Sequence, residues 1–149
     1  MPKYSHWDVR FLELAAFISG WSKDPSTKVG AVFIGGDRQI LATGFNGFPR
    51  GIADDERLHN REQKYPIICH GEENGILDAA RRGVSLLGST VYVTPWPSCL
   101  KCTRGLIQVG VKRVVFPDTP APDRWKAELE GSKALYKEAM VQVDYIPMV

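Results

Sequence analysis

The feature that most constrains this chain is one histidine and two cysteines between residues 70 and 102. His70 begins the segment His70-Gly71-Glu72, and Cys99 and Cys102 form a Cys-x-x-Cys pair. One imidazole and two thiolates supply three ligands for a tetrahedral Zn²⁺ and leave its fourth position open, as in catalytic zinc sites. Glu72 is close to the histidine and is not needed as a ligand. We therefore expect Glu72 to move protons beside the open position.

Length and composition predict one globular domain spanning residues 1–149. The 149 residues include 44% hydrophobic and 24% charged residues, as in ordinary folded domains. The net charge of +2 is too small for a long nucleic-acid footprint, so no stable nucleic-acid partner is expected. Three cysteines, two of them in one Cys-x-x-Cys, favour metal binding in a reducing compartment over disulfides. Met1 to Ser5 lacks an apolar leader core and no apolar run could span a membrane, so we expect a cytoplasmic protein without a membrane partner.

Hydrophobic periodicity predicts a first helix, then a hairpin, and then alternating helices and strands. This order favours an α/β domain. We expect Ile76, Leu77 and Ala80 to form the buried stripe of the helix that His70 begins, and Gly131 to interrupt or bend the last helix. The predicted helices are 6–21, 70–82, one from Cys99 to Gly110, and one beginning at Asp123. The predicted strands are 29–34, 39–44, 89–94, 112–116 and an edge strand over 141–145, with a long loop over 45–66.

The spacing of His-x-Glu and Cys-x-x-Cys is the signature of zinc-dependent nucleobase deaminases. Residues 22–31 (SKDPSTKVGA), 44–51 (GFNGFPRG) and 70–74 (HGEEN) narrow the match. With these segments the chain resembles the deoxycytidylate deaminase family from about residue 7 to residue 116. Two positions depart from the family pattern: Gly71 stands where Ala is usual, and Ser98 separates the loop proline from Cys99.

The resemblance implies a three-layer α/β/α fold with a mixed sheet of about five strands. It also implies hydrolysis of dCMP to dUMP and ammonia, supplying dUMP for thymidylate synthesis, with one catalytic Zn²⁺ per chain. An activated water would attack C4 of cytosine while Glu72 passes protons to ring N3 and to the departing ammonia.

Substrate contacts are predicted for five residues, three of which have a stated alternative. By resemblance Asn46 would bind the deoxyribose 3′-hydroxyl, although asparagine is also a common turn former. Lys28 with the neighbouring Ser26 hydroxyl would hold the 5′-phosphate, or Lys28 is a solvated lysine. The Gly71 backbone would contact the base. Trp96 would either stack on the base or pack against another subunit.

Enzymes of the family are commonly homohexamers, activated by dCTP with Mg²⁺ and inhibited by dTTP. The resemblance makes Phe45 and Gly47, in the Gly-x-Asn-Gly turn, candidates for the effector site together with Arg81. The alternative for Arg81 is ordinary compensation of a helix dipole in a last turn.

Other functions are open at this stage. A Cys-x-x-Cys pair alone is often half of a structural zinc site. Related enzymes act on cytidine, guanine or tRNA adenosine, and a single-stranded nucleic-acid binder could use the same fold. A zinc-stabilised binding protein without activity would have no use for Glu72, which argues against that class.

Overall fold

A five-stranded mixed sheet organises residues 4–148, the part of the chain that this computed structural model describes. The strands are β1 (Gly30–Ile34), β2 (Ile40–Phe45), β3 (Thr90–Thr94), β4 (Arg113–Pro117) and β5 (Gln142–Ile146). Their spatial order is β2-β1-β3-β4-β5. β1 is antiparallel to β2 and β3, whereas β3, β4 and β5 are parallel. The predicted hairpin and the predicted last edge strand are both confirmed.

Helices cover both faces of the sheet. They are α1 (His6–Ser19), the single turn α2 (Arg61–Lys64), α3 (Gly71–Arg82), α4 (Leu100–Gln108) and α5 (Lys126–Glu138). Because strand side chains alternate between faces, Val32 of β1 packs with α1 on one side and Phe33 packs with α3, α4 and α5 on the other. This arrangement confirms the three-layer α/β/α fold. No helix within residues 4–148 combines the length and the apolar character needed to cross a membrane.

The buried face of α3 differs from the predicted stripe. Ile76 packs against the core, but Leu77 is 50% exposed and Ala80 is also exposed. Gly75 is buried instead, and a Cβ there would lie 2.4 Å from Phe33 Cε2. Glycine at this position lets the helix approach β1 closely. The prediction for Leu77 and Ala80 was wrong because glycine, which no hydrophobic pattern counts, occupies the contact.

Two further predictions need correction. The loop over 45–66 contains α2 and a 3-10 turn at Glu56–His59, which are too short to give a periodic signal. The last helix is not interrupted at Gly131: α5 runs unbroken, and Leu100 packs over that glycine, where a Cβ would lie 3.3 Å from Leu100 Cδ2. The predicted absence of a leader depends partly on residues 1–3, which lie outside the described residues.

Candidate metal and catalytic site

Two helix starts bring the candidate ligands together. His70 precedes α3, and its backbone N–H donates to the Glu73 carboxylate at 3.2 Å, which fixes the start of the helix. Cys99 precedes α4, where its sulfur accepts the Cys102 N–H at 3.5 Å. The segment 95–98, which we call the ligand loop, joins the end of β3 to Cys99. Both helices therefore direct their positive ends towards the cysteine sulfurs and the histidine ring.

The three candidate ligands form one cluster. His70 Nδ1 lies 3.4 Å from Cys99 Sγ and 3.3 Å from Cys102 Sγ, and the three ligand atoms lie within 4.8 Å of one another. A tetrahedral Zn²⁺, with Zn–S of about 2.3 Å and Zn–N of about 2.0 Å, requires S···N separations of about 3.5 Å. The nitrogen and two sulfurs therefore fit zinc both in chemistry and in spacing.

Electrostatics at the cluster favour a thiolate. A hydrogen bond from the Cys102 thiol, together with the facing His70 ring, lowers the pKa of Cys99 to about 4. The shared proton and burial raise the pKa of Cys102, so the pair carries one negative charge before a metal binds. The hydrogen bond to Cys99 in turn raises the pKa of His70. A divalent cation would displace the remaining proton.

Glu72 lies beside the cluster and is only 4% exposed. Burial raises the pKa of its carboxyl group, because a charged carboxylate is poorly solvated there. A raised pKa makes the carboxylate a stronger base, and the protonated form can give the proton back. That property suits the proton-transfer role predicted for Glu72.

The cluster opens into a cavity of about 460 Å³. His70, Glu72 and Cys99 line it, which leaves Cys102 behind them. Three predicted substrate residues also line the cavity: Ser26, Asn46 and Trp96.

Two predicted substrate residues lie outside the lining. Lys28 is exposed, and its ammonium donates to the Ser22 carbonyl. Gly71 is buried against Val29, where a Cβ would lie 3.0 Å from Val29 Cγ1, so the glycine allows a close backbone approach. The roles predicted for Lys28 and Gly71 stay predictions.

The side chain of Asn46 forms hydrogen bonds with the loop before β1, which is part of the cavity wall. Its Oδ1 accepts the Val29 N–H at 2.8 Å, and its Nδ2 donates to the Thr27 carbonyl at 2.8 Å and to Asp24 Oδ2 at 3.3 Å. Both amide donors are therefore occupied, and only the second lone pair of Oδ1 is left for a ligand. Asn46 thus holds the loop before β1, a role beyond both predicted alternatives.

Sequence reasoning missed four residues that line the cavity: Arg61, Lys64, Arg124 and Trp125. Arg61 and Arg124 are exposed, and neither has a carboxylate partner among residues 4–148. The Trp125 indole N–H is buried and also lacks a hydrogen-bond partner within that range. Arg124 and Trp125 follow β4, at the sheet edge where the parallel strands β3 and β4 end. The rule that α/β proteins bind ligands at the carboxyl ends of strands could have pointed to these two residues.

The three candidate effector residues do not lie together: Phe45 and Gly47 adjoin the start of α3, and Arg81 lies near its end. Asn74 Nδ2, in the first turns of α3, donates to the Phe45 carbonyl at 2.8 Å, so the turn with Phe45 and Gly47 adjoins the start of the helix. Arg81 lies in the last turn and is exposed. Asn74 and Arg81 are seven positions apart in the helix, which is roughly 10 Å along the axis.

Comparison with known proteins gives concordant matches. Residues 5–117 match the family described as the cytidine and deoxycytidylate deaminase zinc-binding region. An uncharacterised deaminase of Aliivibrio fischeri is 38% identical over 146 residues, covering 97% of this chain and 96% of that protein. The deoxycytidylate deaminase of Mus musculus is 33% identical over 144 residues, covering 93% of this chain and 78% of that protein.

A solved structure shows the same fold. The dCMP deaminase of the cyanophage S-TIM5, in complex with dCMP and dUMP, superposes with a TM-score of 0.79. The superposition covers 97% of this chain and 100% of that chain, at 23% sequence identity.

Proposed function

The chain belongs to the cytidine and deoxycytidylate deaminase family, and on that premise we propose that it hydrolyses dCMP to dUMP and ammonia. The observation that carries the proposal is the His70, Cys99 and Cys102 cluster with the buried Glu72 beside it, at one wall of a cavity. The match to a deoxycytidylate deaminase over most of the chain supports dCMP as the substrate. The reaction would supply dUMP for thymidylate synthesis.

His70, Cys99 and Cys102 would hold one Zn²⁺ per chain, which when bound supplies the Lewis acidity that makes a water molecule nucleophilic near neutral pH. Glu72 accepts a proton from the attacking water and delivers it to ring N3 of cytosine. It then takes the second proton of that water from the C4 hydroxyl group and delivers it to the amino group, so that ammonia leaves and C4 becomes a carbonyl. The raised pKa of Glu72 suits both directions of transfer. The cavity wall orients the base and keeps bulk water from the reacting atoms.

Substitutions of Glu72 and Cys99 test this assignment. Glu72→Ala should abolish ammonia release from dCMP while zinc content stays near one ion per chain, because Glu72 moves protons without holding the metal. Cys99→Ala should lose zinc and lower the stability of the fold, because ligand loss removes metal-binding energy. The measurements are ammonia release, metal analysis and thermal unfolding. Equal zinc loss in both variants would show that Glu72 is a ligand.

A second family substrate is the alternative to dCMP. The discriminating observation is that two guanidinium groups in the cavity lining, those of Arg61 and Arg124, have no carboxylate partner among residues 4–148. Exposed cations of this kind favour a phosphorylated substrate over a free nucleoside or base. Ammonia release should therefore be faster with dCMP than with deoxycytidine. In a panel that adds CMP, dCTP and a cytosine-containing oligonucleotide, dCMP should be fastest, as the match to a deoxycytidylate deaminase supports.

We further propose regulation by dCTP with Mg²⁺ and by dTTP in a homohexamer. The Phe45–Gly47 turn and Arg81 lie at opposite ends of α3, roughly 10 Å apart along the helix axis, so an effector bound by both would have to span that distance. The dCMP saturation curve should be sigmoidal without dCTP and hyperbolic with it, and Arg81→Glu should remove that response while zinc stays bound. An unchanged response in the variant would leave Arg81 only its helix-dipole role.

A further inference from the structure

One buried ion pair crosses the wall of the cavity. Lys64 Nζ lies 3.0 Å from Asp24 Oδ1, and the two side chains are only 6% and 7% exposed. Both residues line the cavity. Taking two charges out of water is unfavourable unless further hydrogen bonds complete the pair. An ion pair buried this deeply, outside the hydrophobic clusters and at a binding cavity, therefore calls for a functional explanation.

Further hydrogen bonds complete the pair. Lys64 Nζ also donates to Ser26 Oγ at 3.2 Å, and Asp24 Oδ1 also accepts the Ser26 N–H at 2.8 Å. On the other carboxylate oxygen, Asp24 accepts from Asn46 Nδ2 at 3.3 Å. The network joins three separate parts of the chain: α2, the loop before β1, and the turn after β2.

The same loop also reaches the start of α3, the helix that follows the candidate ligand His70. Asn46 Oδ1 holds the Val29 N–H at 2.8 Å, and Val29 packs on Gly71, the first residue of α3. The segment 24–29 is therefore held between Lys64 on one side and the helix start that carries His70 on the other.

We propose that Lys64 is a positioning residue for the substrate, which through Asp24 and Ser26 fixes the segment 24–29 as one wall of the cavity. The proposal rests on the proposed deamination of a cytosine nucleotide. Lys64 acts on this wall rather than on the reacting atoms. A wall that contacts the substrate in both the ground state and the transition state contributes uniform binding, and its loss raises KM with a smaller effect on kcat.

Lys64→Met tests the proposal, because methionine keeps most of the side-chain volume and removes the charge. We expect kcat/KM for dCMP to fall roughly 10- to 100-fold, as for a misplaced substrate, mainly through a higher KM, with zinc content unchanged. A purely structural role predicts a different result: partial unfolding lowers the amount of active enzyme and so the apparent kcat, while KM stays at the wild-type value. Wild-type KM in Lys64→Met would overturn the proposal.

Two further variants sharpen the test. Asp24→Asn keeps the lysine and the shape of the carboxylate but removes its charge, and it should raise KM in the same way; it also serves if Lys64→Met does not fold. Lys23→Ala is the matched control, because Lys23 directly precedes Asp24 in the sequence but forms an exposed ion pair with Asp54, with side chains 69% and 36% exposed. The control should keep the wild-type KM, and an equal rise in KM in Lys23→Ala would contradict a specific role for the buried pair.

These measurements test the positioning role of Lys64 separately from the proposed substrate. KM is measured on whichever cytosine nucleotide the wild-type protein deaminates. Failure of dCMP itself would contradict the proposed substrate, and the Lys64 comparison would then be made on the nucleotide that does react. An unchanged KM in Lys64→Met, or in Asp24→Asn where Lys64→Met does not fold, would contradict the positioning role and leave the proposed substrate unaffected.

Discussion

Ser98, which stands between the loop proline and Cys99, is held through its main chain. The Ser98 carbonyl accepts hydrogen bonds from Ser132 Oγ at 3.0 Å and Thr103 Oγ1 at 3.4 Å. All three residues are buried. Hydrogen bonds from α4 and α5 therefore anchor the residue directly before Cys99.

At the same scale, two arginines in the cavity lining are predicted to bind the phosphate of the substrate. Arg61→Ala and Arg124→Ala should each lower kcat/KM for dCMP by roughly tenfold or more, because each removes a charge-assisted hydrogen-bond donor at the cavity. Activity on deoxycytidine, which has no phosphate, should change little. The measurement is kcat/KM for both substrates in each variant.

Lys28→Ala is the matched control for these arginines. The Lys28 ammonium donates to the Ser22 carbonyl and lies outside the cavity lining, so its loss should change the ratio between dCMP and deoxycytidine little. A selective loss of dCMP activity in Lys28→Ala, with a wild-type ratio of dCMP to deoxycytidine activity in the arginine variants, would show that Lys28 binds the phosphate, as the sequence predicts.

At the scale of elements, the placement of the metal cluster depends on how closely α3 approaches β2. A Cβ on Gly44 would lie 2.2 Å from the Gly71 carbonyl oxygen and 2.3 Å from the Gly75 backbone nitrogen. These are backbone atoms, so the helix must move if a side chain is added. Gly44→Ala should therefore destabilise the protein by roughly 1–3 kcal/mol and weaken zinc binding, because the helix that moves carries His70.

Chemical unfolding and a zinc competition titration would measure both effects. Gly36→Ala is the control: it lies in the β1–β2 hairpin, and a Cβ there would have no neighbour within 4 Å. A zinc affinity equal to wild type in Gly44→Ala would contradict the link between this contact and the metal site.

The sequence predicted long periodic elements better than contacts between them. α1, α3 and the strands were predicted within a few residues, because each has a periodic apolar pattern and a clear end, such as Gly83 after α3. The orientation of α3 was missed because glycine makes its tightest contact. The turn α2 was missed because four residues are too few to show a period.

At the scale of the whole molecule, the same limit explains which part of the site was predictable. The His-x-Glu and Cys-x-x-Cys patterns are local, so the cluster and Glu72 were found from sequence. Lys64 and Asp24 are forty residues apart, and only the folded chain brings them together. Arg124 and Trp125 come from a segment that the family match, which ends at residue 117, does not include.

A second buried network connects α1 with the sheet, through residues that are distant in the sequence. Asp8 of α1 accepts from Arg113 at 2.8 and 3.1 Å and from the Tyr92 hydroxyl at 2.7 Å. Arg113 Nε also donates to Asp144 of β5 at 2.6 Å. One cluster thus ties α1 to β3, β4 and β5. Burial alone would raise the pKa of Asp8, but the hydrogen bonds from Arg113 and Tyr92 outweigh it and lower the pKa below 3.8.

The lowered pKa of Asp8 predicts how stability changes in acid. A carboxyl group whose folded pKa lies below its unfolded value of about 3.9 stabilises the fold fully above that value, and the contribution is lost as pH falls through the folded pKa. Asp8→Asn should therefore lower the free energy of unfolding by about 1.5–3 kcal/mol near neutral pH. The difference from wild type should shrink as pH falls below about 4. Urea unfolding of both proteins across this range measures it, and any loss of zinc in acid affects both alike. Asp123→Asn, whose side chain is 96% exposed, should show no such difference, and a constant gap between Asp8→Asn and wild type at every pH would contradict the prediction.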